Sequence, residues 1–322
     1  MRAVVLTEAG PALADIPKPQ PKFGEVLIRV HANALNRADL SMAAGRMHGT
    51  RGGVGTVLGH EWAGEVAALG RGVTNIRSGD RVMGSGGGFA DFVTVPASQV
   101  LPIPDANFSL VEAACFPVAI RTMHNAVVTT GAMLPGETVL IQGASSGVGI
   151  MGLQIAKEMG AAKVIGSSTN LERRARLAEF GADLAIDTSD PQWVDAVLDF
   201  TFGLGVDLIV DQISGTLVVP NMRAARILGR IVNVGRLGGQ MTQFDADLHA
   251  LRRITYRGVT FRNRSPEEVV AINEAMVADL WPALTARRLS MPIDSVYPLE
   301  DFSAALAKMK ANAHFGKIVL RH

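Results

Sequence analysis

Seven residues between an apolar run and a helical repeat hold the densest chemistry in this chain: Gly143-Ala144-Ser145-Ser146-Gly147-Val148-Gly149. Before them, Thr138-Val139-Leu140-Ile141 reads as a buried strand. After them, Val148, Met151, Ile155 and Met159 recur at helical spacing. A small-residue turn from strand into helix can cradle a phosphate, because the first amides of a helix have no intrahelical partner. The run departs from strict G-x-G-x-x-G, since aligning its last glycine on Gly149 puts Ala144 and Ser146 at the first two positions. Small Ala144 still permits a close turn, Ser146 can donate to phosphate, and Gly149 lets the helix approach the sheet. A glycine-rich turn without a ligand would share this pattern, so its setting in the fold must support the reading. Residues 138–156 carry no charge, yet the polar turn interrupts them and a membrane span needs a longer apolar core.

A dinucleotide reading turns next on the following strand. A site for NAD presents Asp or Glu there to bind the ribose hydroxyls. Val164-Ile165-Gly166-Ser167-Ser168-Thr169-Asn170 supplies no acid, and Arg173 and Arg174 follow one turn later. The hydroxyls of Ser168 and Thr169 with a guanidinium suit a 2′-phosphate, which an acidic group would repel. NADPH is therefore the expected cofactor, with Arg173 favoured over Arg174 as the phosphate ligand. Glu172-Arg173-Arg174 as a solvated helical face is the plainer alternative.

Composition frames these residues. The chain has 322 residues, 48% hydrophobic and 19% charged, with a formal net charge of +1. That balance suits about two soluble domains and gives no field for nucleic acid. Two tyrosines offer little for base stacking. Met1 to Leu6 meets Glu8 at once, so it reads as a first strand and not a signal peptide. One cysteine, Cys115, excludes a disulfide framework and four-thiolate metal sites and fits a reducing cytoplasm. Among Ala113, Ala114 and Phe116 it reads as an inert packed residue.

The elements needed to position the loop are legible as a change of rhythm. Residues 1–118 are rich in glycine and short apolar runs, with strands near 25–32, 63–69, 73–84 and 88–95, an irregular β domain. Gly84-Ser85-Gly86-Gly87-Gly88 within it is a tight or flexible loop of no evident function. Residues 119–260 alternate strands (138–142, 163–166, 183–186, 207–211, 230–234 and 256–261) with helices (148–159, 171–180, 191–199 and 217–227). This predicts an α/β fold, a doubly wound parallel sheet of the Rossmann type. Residues 261–322 carry helices near 266–279 and 300–310 and a strand at 317–320, and are expected to return to the first domain.

Gly59-His60-Glu61-Trp62-Ala63-Gly64-Glu65-Val66, the glycine loop, Asn233-Val234-Gly235 and Phe315-Gly316-Lys317-Ile318-Val319-Leu320 occur in the order seen in medium-chain dehydrogenases/reductases. The chain resembles that superfamily over nearly its whole length, and most resembles its zinc-free quinone oxidoreductase branch, zeta-crystallin-like. The resemblance implies a mainly β, GroES-like catalytic domain split around an NADPH domain, and a homodimer. In the zinc alcohol dehydrogenases of the superfamily the ligands are Cys, the His of Gly-His-Glu and a later Cys. Those places here hold Asn36, His60 and Val118, so no metal is expected.

Further roles also follow from the resemblance. Asn36 stands beside the substrate, where its amide can donate to a carbonyl oxygen; capping the Asn36–Leu40 turn is its plainer role. Thr122 matches a threonine that begins a cofactor-domain helix and faces the nicotinamide. Gln212 with Asn233 and Gly235 would meet the nicotinamide half, and Gly316-Lys317 the cofactor from the other domain. The activity implied is reduction of quinones, 2-alkenals or enones by hydride transfer. A zinc alcohol dehydrogenase and a noncatalytic NADPH-binding protein are the alternatives. Met42, Met47 and Phe92 are candidates for an apolar substrate pocket or for ordinary core.

Overall fold

The computed structural model describes residues 1–104 and 107–322. Two compact units divide the chain: Met1–Val118 with Phe261–Thr285 and Met291–His322, and Ala119–Thr260 with Ala286–Ser290. The short stretch Ala286–Ser290 thus joins the second unit from within the returning segment.

The first unit begins with β1 (Arg2–Thr7), β2 (Gly10–Asp15), β3 (Glu25–Ala34), α1 (Arg37–Ala43), β4 (Glu61–Leu69), β5 (Arg81–Ser85), β6 (Phe92–Pro96), β7 (Leu101–Pro102) and the short α2 (Leu110–Ala113). The helix α3 (Pro117–His124) carries the chain into the second unit. The expected strand over 73–84 shrinks to β5 because Gly72 and Gly79 take positive φ, which turns the chain instead of extending it.

The second unit contains β8 (Thr138–Gln142), α4 (Gly147–Glu158), β9 (Lys163–Ser167), α5 (Leu171–Ala175), β10 (Leu184–Ile186), α6 (Trp193–Phe200), β11 (Val206–Asp211), α7 (Val218–Ala224), β12 (Ala225–Asn233), α8 (Ala246–Arg252) and β13 (Thr255–Gly258). Its six strands lie in the order β10-β9-β8-β11-β12-β13, all paired in parallel. Strand order reverses between β8 and β11, so the carboxyl ends of these two strands flank a topological switch point. Leu140, Ile165, Ile209 and Ile231 form one layer of the core beneath it. The sheet's strands read as continuous apolar runs because both faces are covered.

The helix expected from Val148, Met151, Ile155 and Met159 forms as α4. Helix α4 is buried over the whole of Gly149–Ala156, while Val148 and Met159 are half-buried. A helix packed on all sides has no polar face to read. The expected helix over 171–180 breaks, into α5 and a 3-10 turn at Leu177–Phe180.

The chain closes with α9 (Pro266–Thr285), β14 (Ile293–Pro298), α10 (Phe302–Lys310) and β15 (Lys317–Arg321) in the first unit. There, β15 pairs with β3 and β14, giving the sheet order β14-β15-β3-β4-β5-β7, with β6 also on β3. Ile318 and Leu320 on β15 share a core with Val4, Leu35, Phe89 and Phe302. The C-terminal strand thereby brings Lys317 beside the segments that carry Asn36 and Glu61. No helix among the described residues is long and apolar enough to cross a membrane.

Candidate functional site

In the second unit, Gly143 takes φ +70°, and a Cβ there would lie 2.9 Å from Ile213 Cδ1. A Cβ on Gly149 would meet Gly143 O at 2.5 Å, so glycine is what lets α4 start against the loop. Ser146 caps α4: its hydroxyl accepts from Gly149 N at 3.0 Å and lies against Gly143 O and Gln212 Oε1. The side chain is thus committed to the cap. The first-turn amides of Gly147 and Val148 remain as the donors for an anion.

A buried polar chain holds this loop from below. Gly143 N donates to Ser167 Oγ, Ser167 Oγ to Gln142 Oε1, and Gln142 Nε2 to Asn221 Oδ1 at 2.7 Å. Asn221 Nδ2 reaches Asp211, whose carboxylate also accepts from Ile213 N and Ser214 N. Burial pushes the Asp211 carboxyl up, against those backbone donors. Gln212 Nε2 donates to Gln142 O at 3.0 Å, which ties β11 to the start of the loop. Reading the sequence missed Gln142, Ser167, Asp211 and Asn221. For Gln142, Ser167 and Asp211 the signal was a polar residue ending an apolar strand; Asn221, inside α7, had none.

Asp211 pairs with Asn233 in register, and Asn233 Nδ2 lies 3.3 Å from Gly235 O. A Cβ on Gly235 would meet Gln212 O at 2.4 Å. Ser146, Gln212, Asn233 and Gly235 are therefore brought together at the strand ends. At the tip of β9, Ser168 Oγ donates to Ser145 Oγ at 3.0 Å, and Thr169 is exposed. Asn170 caps α5 by accepting from Arg173 N. Arg174 is locked by Ser168 O and by Asp187 Oδ2 at 2.6 Å.

Thr122 requires a correction. Helix α3 starts at Pro117, so Thr122 is an interior helical residue and neither begins nor caps the helix.

In the first unit a buried polar hub forms around Glu61, which is 0% exposed. Its Oε1 accepts from Asn36 Nδ2 at 2.9 Å and from the Lys317 ammonium; its Oε2 accepts from Val118 N at 2.8 Å. Lys317 Nζ also donates to Asn36 Oδ1 at 2.9 Å. The Asn36 backbone N–H donates to Asp39 Oδ2, and Asp39 Oδ1 lies 2.6 Å from His60 Nδ1. His48 stacks edge-on against the His60 ring, centroids 4.7 Å apart.

Two expected roles change here. Lys317 is 3% exposed and its ammonium is spent inside this unit, so it is not placed to meet a cofactor phosphate. Gly316 takes φ +83°, and a Cβ there would strike Pro292 O at 2.1 Å; its glycine serves the turn into β15. Asn36 directs Nδ2 to Glu61 and to Ala34 O, so donation to a substrate would require breaking one of these bonds. Among the pocket candidates, Met42 is core, Met47 is exposed and Phe92 lies under the Lys18 ammonium.

Comparison with known proteins fits this arrangement. Residues 22–105 match the alcohol dehydrogenase GroES-like domain, and residues 147–277 match the zinc-binding dehydrogenase family. The chain is a member of the medium-chain dehydrogenase/reductase superfamily. A quinone oxidoreductase-like protein 2 homolog of Nematostella vectensis is 26% identical to this dehydrogenase/reductase, over 99% of this chain and 88% of that one. A mycocerosic acid synthase-like polyketide synthase of Mycobacterium tuberculosis is 28% identical over 93% of the chain. The chain spans only 14% of that synthase's length. A mycobacterial protein solved in complex with NADPH matches with TM-score 0.88 and 26% identity, covering 100% of both chains.

The superfamily implies two groups, and this dehydrogenase/reductase suits one of them. A nicotinamide dinucleotide fits the second unit, where glycines 143 and 149 keep the loop close to α4 and the first amides of that helix have no described intrahelical partner. Zinc does not fit the first. Of Asn36, His60 and Val118 only His60 is a strong ligand, and Lys317 already places a cation on Asn36 Oδ1 and Glu61. Among the described residues no group of three or more His, Cys, Asp or Glu could hold a metal. Cys115 is buried, donates to Val111 O, and burial pushes its thiol up.

Proposed function

We propose that this protein is an NADPH-dependent, zinc-independent oxidoreductase that reduces quinones or the activated C=C bonds of enals and enones. The observation that carries this reading is the Lys317–Glu61–Asn36 cluster, which commits one zinc-ligand position of the superfamily to an ammonium. Without a Lewis acid an alkoxide is poorly stabilised, so alcohol oxidation is disfavoured. An electron-poor carbon needs less help, because its carbonyl oxygen spreads the developing charge.

When bound, NADPH supplies the hydride. The amides of Gly147 and Val148, in the loop Ala144–Gly149, hold the pyrophosphate, while Ser168, Thr169 and Arg173 meet the 2′-phosphate. Gln212, Asn233 and Gly235 receive the nicotinamide end, with Thr122 from α3. Asn36 positions Asp39 and Glu61. Asp39 holds His60 at Nδ1, which fixes the orientation of that ring. Pairing of two copies along the exposed edge strand β13 goes with this reading, as does a reducing cytoplasm around the buried Cys115.

The test is NADPH oxidation against ortho- and para-quinones, enals and enones, after chelation and with metal analysis. Turnover by metal-free protein is expected. Alcohol oxidation that disappears on chelation would overturn the reading. Tight NADPH binding with no turnover across the panel would move the protein to a noncatalytic binding role.

A further inference from the structure

The polar chain beneath the phosphate loop has a direction, and both of its ends fix that direction. Gly143 N can only donate, and it donates to Ser167 Oγ at 2.9 Å. The Ser167 hydroxyl hydrogen therefore goes to Gln142 Oε1, 2.6 Å away. Gln142 is left to give Nε2 to Asn221 Oδ1 at 2.7 Å, and Asn221 gives Nδ2 to Asp211 Oδ2 at 3.1 Å. The last member is a carboxylate, which only accepts while it is ionised. Gln142, Asn221 and Asp211 are fully buried and Ser167 nearly so. Each bond is thus made in a low-dielectric interior, where successive hydrogen bonds polarise one another.

Asp211 also holds the other side of the switch point. Its Oδ1 accepts from Ile213 N and Ser214 N, both at 2.8 Å. Ser214 takes φ +59° and ψ −144°, a conformation that a residue with a side chain keeps only where its surroundings enforce it. Gly215 follows at φ +57°, and a Cβ there would strike Gly238 O at 2.4 Å. Asp211 and Gln142 are register partners on β11 and β8, the two strands between which the order reverses. One carboxylate anchors the turn after β11 directly and the loop after β8 through Asn221. Arg236, beyond β12, and the Tyr256 phenol on β13 face that carboxylate. Burial pushes the Asp211 carboxyl up, while the backbone donors, Asn221 and Arg236 favour its charge.

We propose that Asn221 is a positioning residue for the cofactor. It ties the Asp211 carboxylate to the Gly143 amide, so that one buried charge sets both loops that receive the dinucleotide. The inference rests on the dinucleotide reading above and names what holds that site in shape. The chain reaches the phosphate loop and not the 2′-phosphate contacts, so it acts on NADPH and NADH alike.

The experiment measures dinucleotide affinity and Gly143 amide exchange, read by NMR, in wild type, Asn221→Leu and Asn221→Asp. Asn221→Leu cuts the chain with an apolar side chain of similar size. It should raise the Kd for NADPH and NADH by the same factor, roughly tenfold, the loss expected for a broken buried hydrogen bond. In ligand-free protein it should also speed exchange of the Gly143 amide, while the Ile209 amide within β11 keeps its protection.

Asn221→Asp replaces the amide by a carboxyl that can bridge Gln142 and Asp211 only while it holds a proton. Two carboxyls this close share one proton, and one titration of the pair is strongly raised. Below that titration Asn221→Asp should bind NADH as wild type does. Above it affinity should fall, where wild type shows no such loss.

Unchanged affinity and unchanged Gly143 exchange in Asn221→Leu, or a loss confined to NADPH, would overturn the proposal. So would protection lost at Gly143 and Ile209 together, which is general destabilisation. If Asn221→Leu does not fold, the pH profile of Asn221→Asp decides, and a profile parallel to wild type overturns the proposal. If wild type binds neither dinucleotide, the cofactor reading fails separately. Gly143 exchange in the ligand-free proteins then decides: protection lost there alone supports the link, and retained protection overturns it.

Discussion

Lys317 and Glu61, 256 residues apart in sequence, form an ion pair inside the first unit with almost no solvent contact. Asn36 bridges them, donating to the carboxylate and accepting from the ammonium. Taking both charges out of water is costly, so the pair is weak evidence for net stability. It does ensure that neither partner can be removed alone without stranding the other.

Lys317→Met should therefore cost about 3–5 kcal/mol, because it leaves a buried carboxylate facing an amide with no cation. Lys317→Met combined with Glu61→Gln should cost less than the sum of the two single changes. Urea unfolding of the four proteins closes the cycle. Strict additivity would show that the pair is not coupled.

Local features were readable and distant ones were not. The strand Thr138–Gln142 and the turn to Gly149 declare themselves within a dozen residues, and the whole β/α alternation follows from similar runs. Thr122 was misplaced although Pro117 was in view, and proline is favoured at the first helical position. Arg173 and Arg174 look alike in sequence; only the fold shows Asp187 arriving from the end of β10 to take Arg174. Lys317 could not be placed, because its partners come from β4 and the start of α1. β15, β3 and β4 must pair side by side before they meet.

Arg173 and Arg174 should separate cleanly in cofactor binding. Loss of a charged contact to the 2′-phosphate in Arg173→Ala should raise the Kd for NADPH about ten- to a hundredfold, with NADH nearly unaffected. Arg174→Ala should mainly lower thermal stability by releasing Asp187. Fluorescence titration with both dinucleotides tests this. Equal weakening of NADPH and NADH in Arg173→Ala would remove it from the phosphate site.

Acid should weaken the first unit through His48. Burial, then His60 and Arg262, lower its imidazole to about 4 from 6.5, with Arg51 adding to this and Asp39 opposing. The unfolded chain binds that proton more readily than the folded one. His48 thus contributes stability that is complete above pH 6.5 and is lost as pH falls towards about 4. His48→Gln should flatten the dependence of the urea midpoint on pH across this window. An unchanged slope would show that His48 is not the proton acceptor.

The clearest separation from zinc enzymes lies in ligand number. Asn36 and Val118 both bond to Glu61, and Asn36 reaches His60 through Asp39, so hydrogen bonds link the three superfamily ligand positions. What this set lacks is sulfur at two of them. Wild type should therefore hold far less than one zinc per chain after dialysis and keep its NADPH-linked activity in chelator. Asn36→Cys/Val118→Cys should take up close to one zinc per chain. With cobalt, it should show the intense visible absorption of tetrahedral thiolate coordination. Lys317 opposes this uptake by its charge, so adding Lys317→Met to the double variant should tighten metal binding further. A wild-type protein that retains stoichiometric zinc through dialysis would mean that His60 recruits ligands which this geometry does not supply.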